Sequence, residues 1–204
     1  MNGATTLDRA EILRGLSIYH RSGDTLEIRI PGAGKAGTIS GYFTDFTAAA
    51  DAVLGRADEF AVYVTINPTN PKLIARAYNR LITHAKSTTS DNDIIRLNWL
   101  PVDGDPPRPA GIPATDEEHA LSLKKCVEMK DWLVENGWPA DAFVRVDSGN
   151  GGYLLARIEL ENTADNRNLV GRCLKALDYF YSDDSFTVDT TSANPARILR
   201  VPGT

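Results

Sequence analysis

Apolar and polar positions alternate along the chain in segments that switch repeatedly between helical and strand periods. Leu7, Ile12, Leu13, Leu16 and Ile18 recur near helical spacing and predict a helix over residues 6–20. Residues 25–30 alternate with period two, a glycine-rich stretch follows, and residues 38–43 repeat the strand pattern, so the pair is expected to form a hairpin. Thr44 or Asp45 caps a helix through about residue 54, and residues 60–66, rich in β-branched and aromatic side chains, predict a buried strand. A turn over 67–70 leads to Pro71, which suits the first turn of a helix over 71–86. Residues 97–103 predict a central strand that stops at the proline-rich segment 105–113. Thr115 and Glu118 form a capping box, opening a long helix that closes near Gly137. A strand pair over 143–147 and 153–158, a helix over 162–180 and two short strands, 186–189 and 197–201, complete the chain. Helices interleaved with strands and hairpins give a mixed α/β, or α+β, fold and argue against a purely parallel sheet.

Composition narrows the function classes. With 204 residues, 42% hydrophobic and 24% charged, the chain reads as a globular domain rather than a disordered or fibrous one. No apolar run approaches the roughly 20 residues of a membrane span, and the amino terminus lacks the basic and apolar parts of a signal peptide. Cys126 and Cys173 have no CxxC spacing, so neither a disulfide framework nor a cysteine-rich zinc site is expected, and a cytoplasmic location is the default. The net charge of −5 argues against a protein that coats nucleic acid nonspecifically, but leaves room for a local basic groove.

Gly32, Gly34 and Gly37 match a GxGxxG pattern after a strand, yet the following residues read as a strand rather than the helix that must hold a pyrophosphate. These glycines are assigned to a hairpin turn. Asp103 and Asp105 stand at the carboxyl end of the central strand, where positions two apart share a face. Such paired carboxylates suit Mg²⁺ or Mn²⁺, while the same Asp-Gly-Asp-Pro sequence also makes a favourable turn. Asp189 ends a late strand and offers a third carboxylate. Ser148, Gly149, Asn150 and Gly151 form a loop whose backbone N–H groups and polar side chains suit an anion, or simply a glycine-rich hairpin. Arg197 and Arg200, three apart on a strand, face opposite sides, so one of them is expected to reach such a site.

In this order and spacing, the segments 67–68, 75–81, 87–94, 103–111 with Thr115 and Glu118, 148–151, and Asp189 with 194–204 resemble the archaeo-eukaryotic primase superfamily. The likeness is to the bifunctional primase-polymerase domains of phages, plasmids and mobile elements, over roughly residues 25–204. It implies an RRM-like catalytic sheet packed with helices plus a smaller N-terminal α/β module. The boundary falls near residue 97, with 1–96 mainly the module and 97–204 mainly the core of one catalytic domain. It implies that Asp103, Asp105 and Asp189 bind two divalent metals, Mg²⁺ or Mn²⁺, as the catalytic centre of template-directed nucleotidyl transfer. The loop Ser148, Gly149, Asn150, Gly151 and Tyr153 would take the triphosphate of a dNTP or NTP. Single-stranded template and primer DNA would be the partners, with a helicase or other replication domain in a longer chain. One departure stands out: Tyr153 occupies the position where the family usually has a histidine, so charge on the triphosphate falls to Arg197, Arg108 or Arg157. His20, His84 and His119 lie outside that motif and are expected at the surface. Lys72, Arg76 and Arg80, with Asn79, make one stripe on the predicted helix 71–86, read either as a DNA-phosphate contact or as a solvated face. Arg108 and Arg200 are further candidate DNA contacts. Trp99, Trp132 and Trp138 are expected in the core. Two rival functions remain: a catalytically silent replication or single-strand-binding domain of the same fold, and an unrelated DxD enzyme such as a glycosyltransferase or nuclease. A rolling-circle nicking enzyme is disfavoured, because no two histidines are close in sequence.

Overall fold

The computed structural model describes residues 7–107, 112–149 and 151–204. The chain is a mixed α+β fold with two four-stranded sheets, divided into two compact units, Met1–Asn98 with Pro195–Thr204, and Trp99–Asn194. The two are of nearly equal length, and the last ten residues return to the first unit.

In the first unit, α1 (Arg9–Tyr19) starts where the Asp8 side chain accepts from the backbone N–H groups of Ala10 and Glu11. It buries Ile12, Leu16 and Tyr19. The strands β1 (Leu26–Ile30) and β2 (Ile39–Phe43) form the expected antiparallel hairpin. The glycines between them make a short 3₁₀ turn, Gly34–Ala36, so no helix opens at Gly37. Asp45 caps α2 (Phe46–Ala57), and β3 (Tyr63–Thr65) and β8 (Ile198–Arg200) complete a sheet of order β2-β1-β3-β8. Its core is built from Ile28, Val64, Ile66 and Leu199.

Two sequence expectations fail in this unit. The helix over 71–86 is instead a 3₁₀ turn, Pro71–Arg76, followed by irregular chain. β2 is one of the two edge strands, and its exposed backbone groups outcompete helix propensity for this segment. Tyr42 N donates to Ala77 O (3.1 Å), Asn79 N to Tyr42 O (2.8 Å), Ser40 N to Ile82 O (3.1 Å) and Ile82 N to Ser40 O (2.9 Å). Gly41 permits this approach, since a Cβ there would collide with Arg80 O. His20 is buried rather than at the surface, with Nε2 2.6 Å from Thr65 O. Burial lowers its pKa to about 4, so the ring is neutral and Nε2–H donates.

β4 (Arg96–Asp105) leads into the second unit, followed by α3 (Asp116–Glu135), β5 (Phe143–Asp147), β6 (Gly152–Glu161), α4 (Ala164–Tyr181) and β7 (Thr187–Val188). The succession β-α-β-β-α-β with sheet order β5-β6-β4-β7 is that of the split βαβ arrangement. The Thr115–Glu118 capping box is present in both directions at the start of α3. α3 buries Ser122, Cys126, Met129 and Leu133, and α4 buries Val170, Leu174 and Leu177, each at helical spacing. Trp99 is core, with the Arg157 guanidinium 4.2 Å from its ring centroid, whereas Trp132 is partly exposed against Phe180 and Tyr181. Among the described residues, no helix is long and apolar enough to cross a membrane.

Candidate functional site

The register of two strands assembles the site. β4 pairs antiparallel with β7, placing Gly104 opposite Val188 and Asp105 opposite Thr187. One step further, Asp189 N donates to Asp103 O at 2.7 Å, so Asp103 and Asp189 face each other across the ladder. Side chains of opposed residues share a sheet face, and so do residues two apart on one strand. Asp103, Asp105 and Asp189 therefore project from the same face. They line a cleft of about 580 Å³ together with Pro106, Thr187 and Asp178 of α4.

Each carboxylate is held differently. Asp103 is buried and Asp105 exposed. Asp189 is half-buried and caps a 3₁₀ turn, Thr190–Ala193, with Oδ1 accepting from Thr191 N (2.8 Å) and Thr191 Oγ1 (2.6 Å) and Oδ2 from Ser192 Oγ (3.1 Å). Asp178 accepts from Ser182 Oγ at 2.5 Å. Gly104 is required between the two β4 carboxylates because the buried Phe186 ring lies over it and would collide with a Cβ. Several carboxylates in one cleft repel unless a cation or proton intervenes, and an all-oxygen donor set fits Mg²⁺ or Mn²⁺. Among the described residues, no three acidic, histidine or cysteine side chains are drawn together closely enough to hold a metal ion.

The loop between β5 and β6 lies against this cleft. A Cβ on Gly151 would collide with Asp105 Oδ1, and one on Gly152 would stand 2.9 Å from Cys126 Sγ. Ser122 of α3 splints the arrangement, donating from Oγ to Gly104 O (2.8 Å) while accepting from Gly152 N (2.8 Å). Three of the loop's described N–H groups have internal partners. Ser148 N donates to Gly151 O (3.0 Å), Gly149 N to Asp147 Oδ1 (2.7 Å) and Gly151 N to Ser148 Oγ (3.0 Å). Close packing thus accounts for Gly151 and Gly152, and an anion bound by these N–H groups has to displace the internal bonds. Asn150 lies outside the described residues, and Tyr153 is half-buried on β6 opposite Val146.

The sequence reading missed His119. Its Nε2 stands 2.8 Å from Asp147 Oδ1, the same oxygen that accepts from Gly149 N, so an imidazole sits at the base of the glycine loop. The capping box fixes where α3 begins, but nothing along the chain shows that its first turns reach this loop. Cys126, beside the loop, is buried and its thiol is pushed up to about 12, which makes it unreactive.

Lys72, Arg76, Asn79, Arg80, Arg197 and Arg200 all belong to the first unit. With the helix 71–86 gone, the stripe no longer exists. Arg76 donates to Tyr42 Oη (3.1 Å) and Thr88 O (3.4 Å), while Asn79 Oδ1 accepts from Thr44 N (2.9 Å) and Asp45 N (3.3 Å). Lys72 and Arg80 are exposed. Arg197 is half-buried in the chain leading to β8, and Arg200 Nε donates to Thr204 Oγ1 at 3.1 Å. Arg157 is engaged with Trp99, and Arg108 lies outside the described residues.

Other segments of the resemblance have structural work. Asn67 Nδ2 donates to Pro195 O (2.9 Å) while its Oδ1 accepts from Asn98 N (2.7 Å), Ser90 and Asp93 form a capping box, and Asp91 accepts from Ala196 N (2.9 Å). No protein-family model, curated protein or solved structure matches the chain.

Proposed function

We propose that the second unit is the catalytic centre of a metal-dependent, template-directed nucleotidyltransferase, a primase-polymerase that starts and extends DNA chains. The observation that carries this reading is the β4–β7 register, which sets Asp103 opposite Asp189 with Asp105 on the same face. Asp103, Asp105 and Asp189 would hold Mg²⁺ or Mn²⁺, which when bound would activate the attacking 3′-hydroxyl and neutralise the departing pyrophosphate. The protein's part is positioning. Thr191 and Ser192 orient the Asp189 carboxylate, Phe186 fixes the backbone between Asp103 and Asp105, and Ser122 holds the glycine loop against them. The loop, with His119 at its base, would face the nucleotide's phosphates.

Incubation with a single-stranded template, nucleotides and Mn²⁺ or Mg²⁺, with and without a primer, tests the proposal. Products are expected from the native chain and not from Asp103→Ala or Asp189→Ala. Products that survive both changes refute the carboxylate centre. A second reading, a silent single-strand-binding domain of the same fold, is favoured by the internally satisfied N–H groups of Gly149 and Gly151 and by the unclosed carboxylate set among the described residues. It predicts DNA binding with no incorporation under any metal. Cleavage of DNA without extension, or turnover of nucleotide sugars, would instead favour the DxD alternative.

A further inference from the structure

α4 carries a feature that the carboxylate cleft does not use. Asn168, Arg172, Lys175 and Tyr179 follow one another at spacings of four, three and four, so they form a single line along the helix. All four are exposed, and the opposite face is the buried row Val170, Leu174 and Leu177. Asn168, Arg172 and Lys175 line an open cleft of about 710 Å³ with Arg167, and Asp165 is its one acidic wall residue. The lysines of α3 are neutralised locally, Lys124 by Glu128, Lys125 by Asp183 and Lys130 by Asp131. Among the described residues, neither Arg172 nor Lys175 has a carboxylate partner. Two like charges three apart on a helix repel each other, which an anion lying along them relieves.

The line ends in an aromatic side chain. Tyr179 is 83% exposed, its ring edge-on to the Phe180 ring at 5.3 Å, and its neighbour Asp178 lines the carboxylate cleft. We infer that this face of α4 is a track for single-stranded nucleic acid, with Arg172 and Lys175 on the phosphates, Asn168 as a polar donor and Tyr179 stacking on a base. A cationic line ending in an exposed ring is the chemistry of single-strand recognition, since a duplex offers no unstacked base to the ring. The inference deepens the proposed function by giving the template or primer a binding surface, and it rests on that reading for its role, though not for the binding itself.

The test is fluorescence anisotropy of a labelled mixed-sequence single-stranded DNA, with its duplex as control, over a salt series and without nucleotide. Arg172→Glu with Lys175→Glu is expected to weaken binding more than tenfold and to lower the salt slope by about 1.4, two phosphate contacts' worth. Arg172→Gln with Lys175→Gln should lower the slope without charge reversal, and circular dichroism confirms that α4 persists in each variant. Tyr179→Ala should weaken binding by about fivefold or more, and Tyr179→Phe should retain it. Unchanged affinity and slope in the charge variants overturn the track, as does failure of the native chain to bind at low salt. Duplex binding equal to single-strand binding, with Tyr179→Ala silent, overturns the single-strand assignment. Binding that depends on α4 without incorporation sinks the catalytic reading alone, and incorporation with binding indifferent to α4 sinks the track alone.

Discussion

Single residues at the site owe their identity to contacts that no linear pattern reveals, and two glycines illustrate different consequences. Gly104 faces the ring of the fully buried Phe186. Gly104→Ala should therefore cost about 1–3 kcal/mol, read as a lower urea midpoint. Combining it with Phe186→Leu should cost less than the sum of the two, and strict additivity would show that the ring is not what excludes a Cβ. Gly151 faces the end of the exposed Asp105 side chain, which can move aside. Gly151→Ala should leave the urea midpoint nearly intact while reducing nucleotide incorporation about tenfold or more by shifting that carboxylate. A parallel loss of stability would mean that the backbone yields instead. The DGD pair was legible in the sequence because strand periodicity alone puts Asp103 and Asp105 on one face. His119 was not, because its place depends on where a helix lands.

At the scale of elements, local signals held wherever the deciding interactions are local. The capping box at Thr115 and Glu118 is an example: the Thr115 side chain accepts from Glu118 N at 3.2 Å, and Glu118 Oε2 accepts from Thr115 N at 2.8 Å. Thr115→Ala should cost about 1 kcal/mol in a thermal or chemical melt, with no change in the number of transitions. Residues 71–86 show the opposite case. Proline at the first turn and spaced basic residues predict a helix, yet the chain past residue 76 hydrogen-bonds to β2. The free edge of a sheet is a tertiary property, and Gly41 is its one trace in the sequence. The DNA-binding stripe proposed on that helix disappears with it. The cationic line on α4 was equally readable from spacing, but only its exposure and lack of local partners set it apart from the neutralised lysines of α3.

For the whole molecule, pH is the expected lever on stability, through His20. Its folded pKa, about 4 by burial, lies below the usual 6.5, so below that value the unfolded chain binds the proton more readily. Stability contributed by the neutral ring is full above about pH 6.5 and falls away toward pH 4, by about 3 kcal/mol in all. Denaturation midpoints measured across that interval should drop for the native chain and flatten in His20→Gln, whose amide can keep the bond to Thr65 O. A drop of equal size in the variant would assign the pH dependence to carboxylates instead. The net charge of −5 describes no single surface: carboxylates gather at the ends of β4 and β7, while the cations of α4 stand along its outer face. The sequence by itself determined the class of fold, most helix starts, the hairpins and the carboxylate pair, because caps, turn residues and periodicity act over a few residues. Tertiary structure alone decided that Asp189 stands opposite Asp103, that the glycine loop abuts Asp105 and that the chain after residue 76 becomes a sheet edge. Those outcomes depend on strand register and on which backbone groups remain unpaired, and both are set by contacts between residues far apart in the chain.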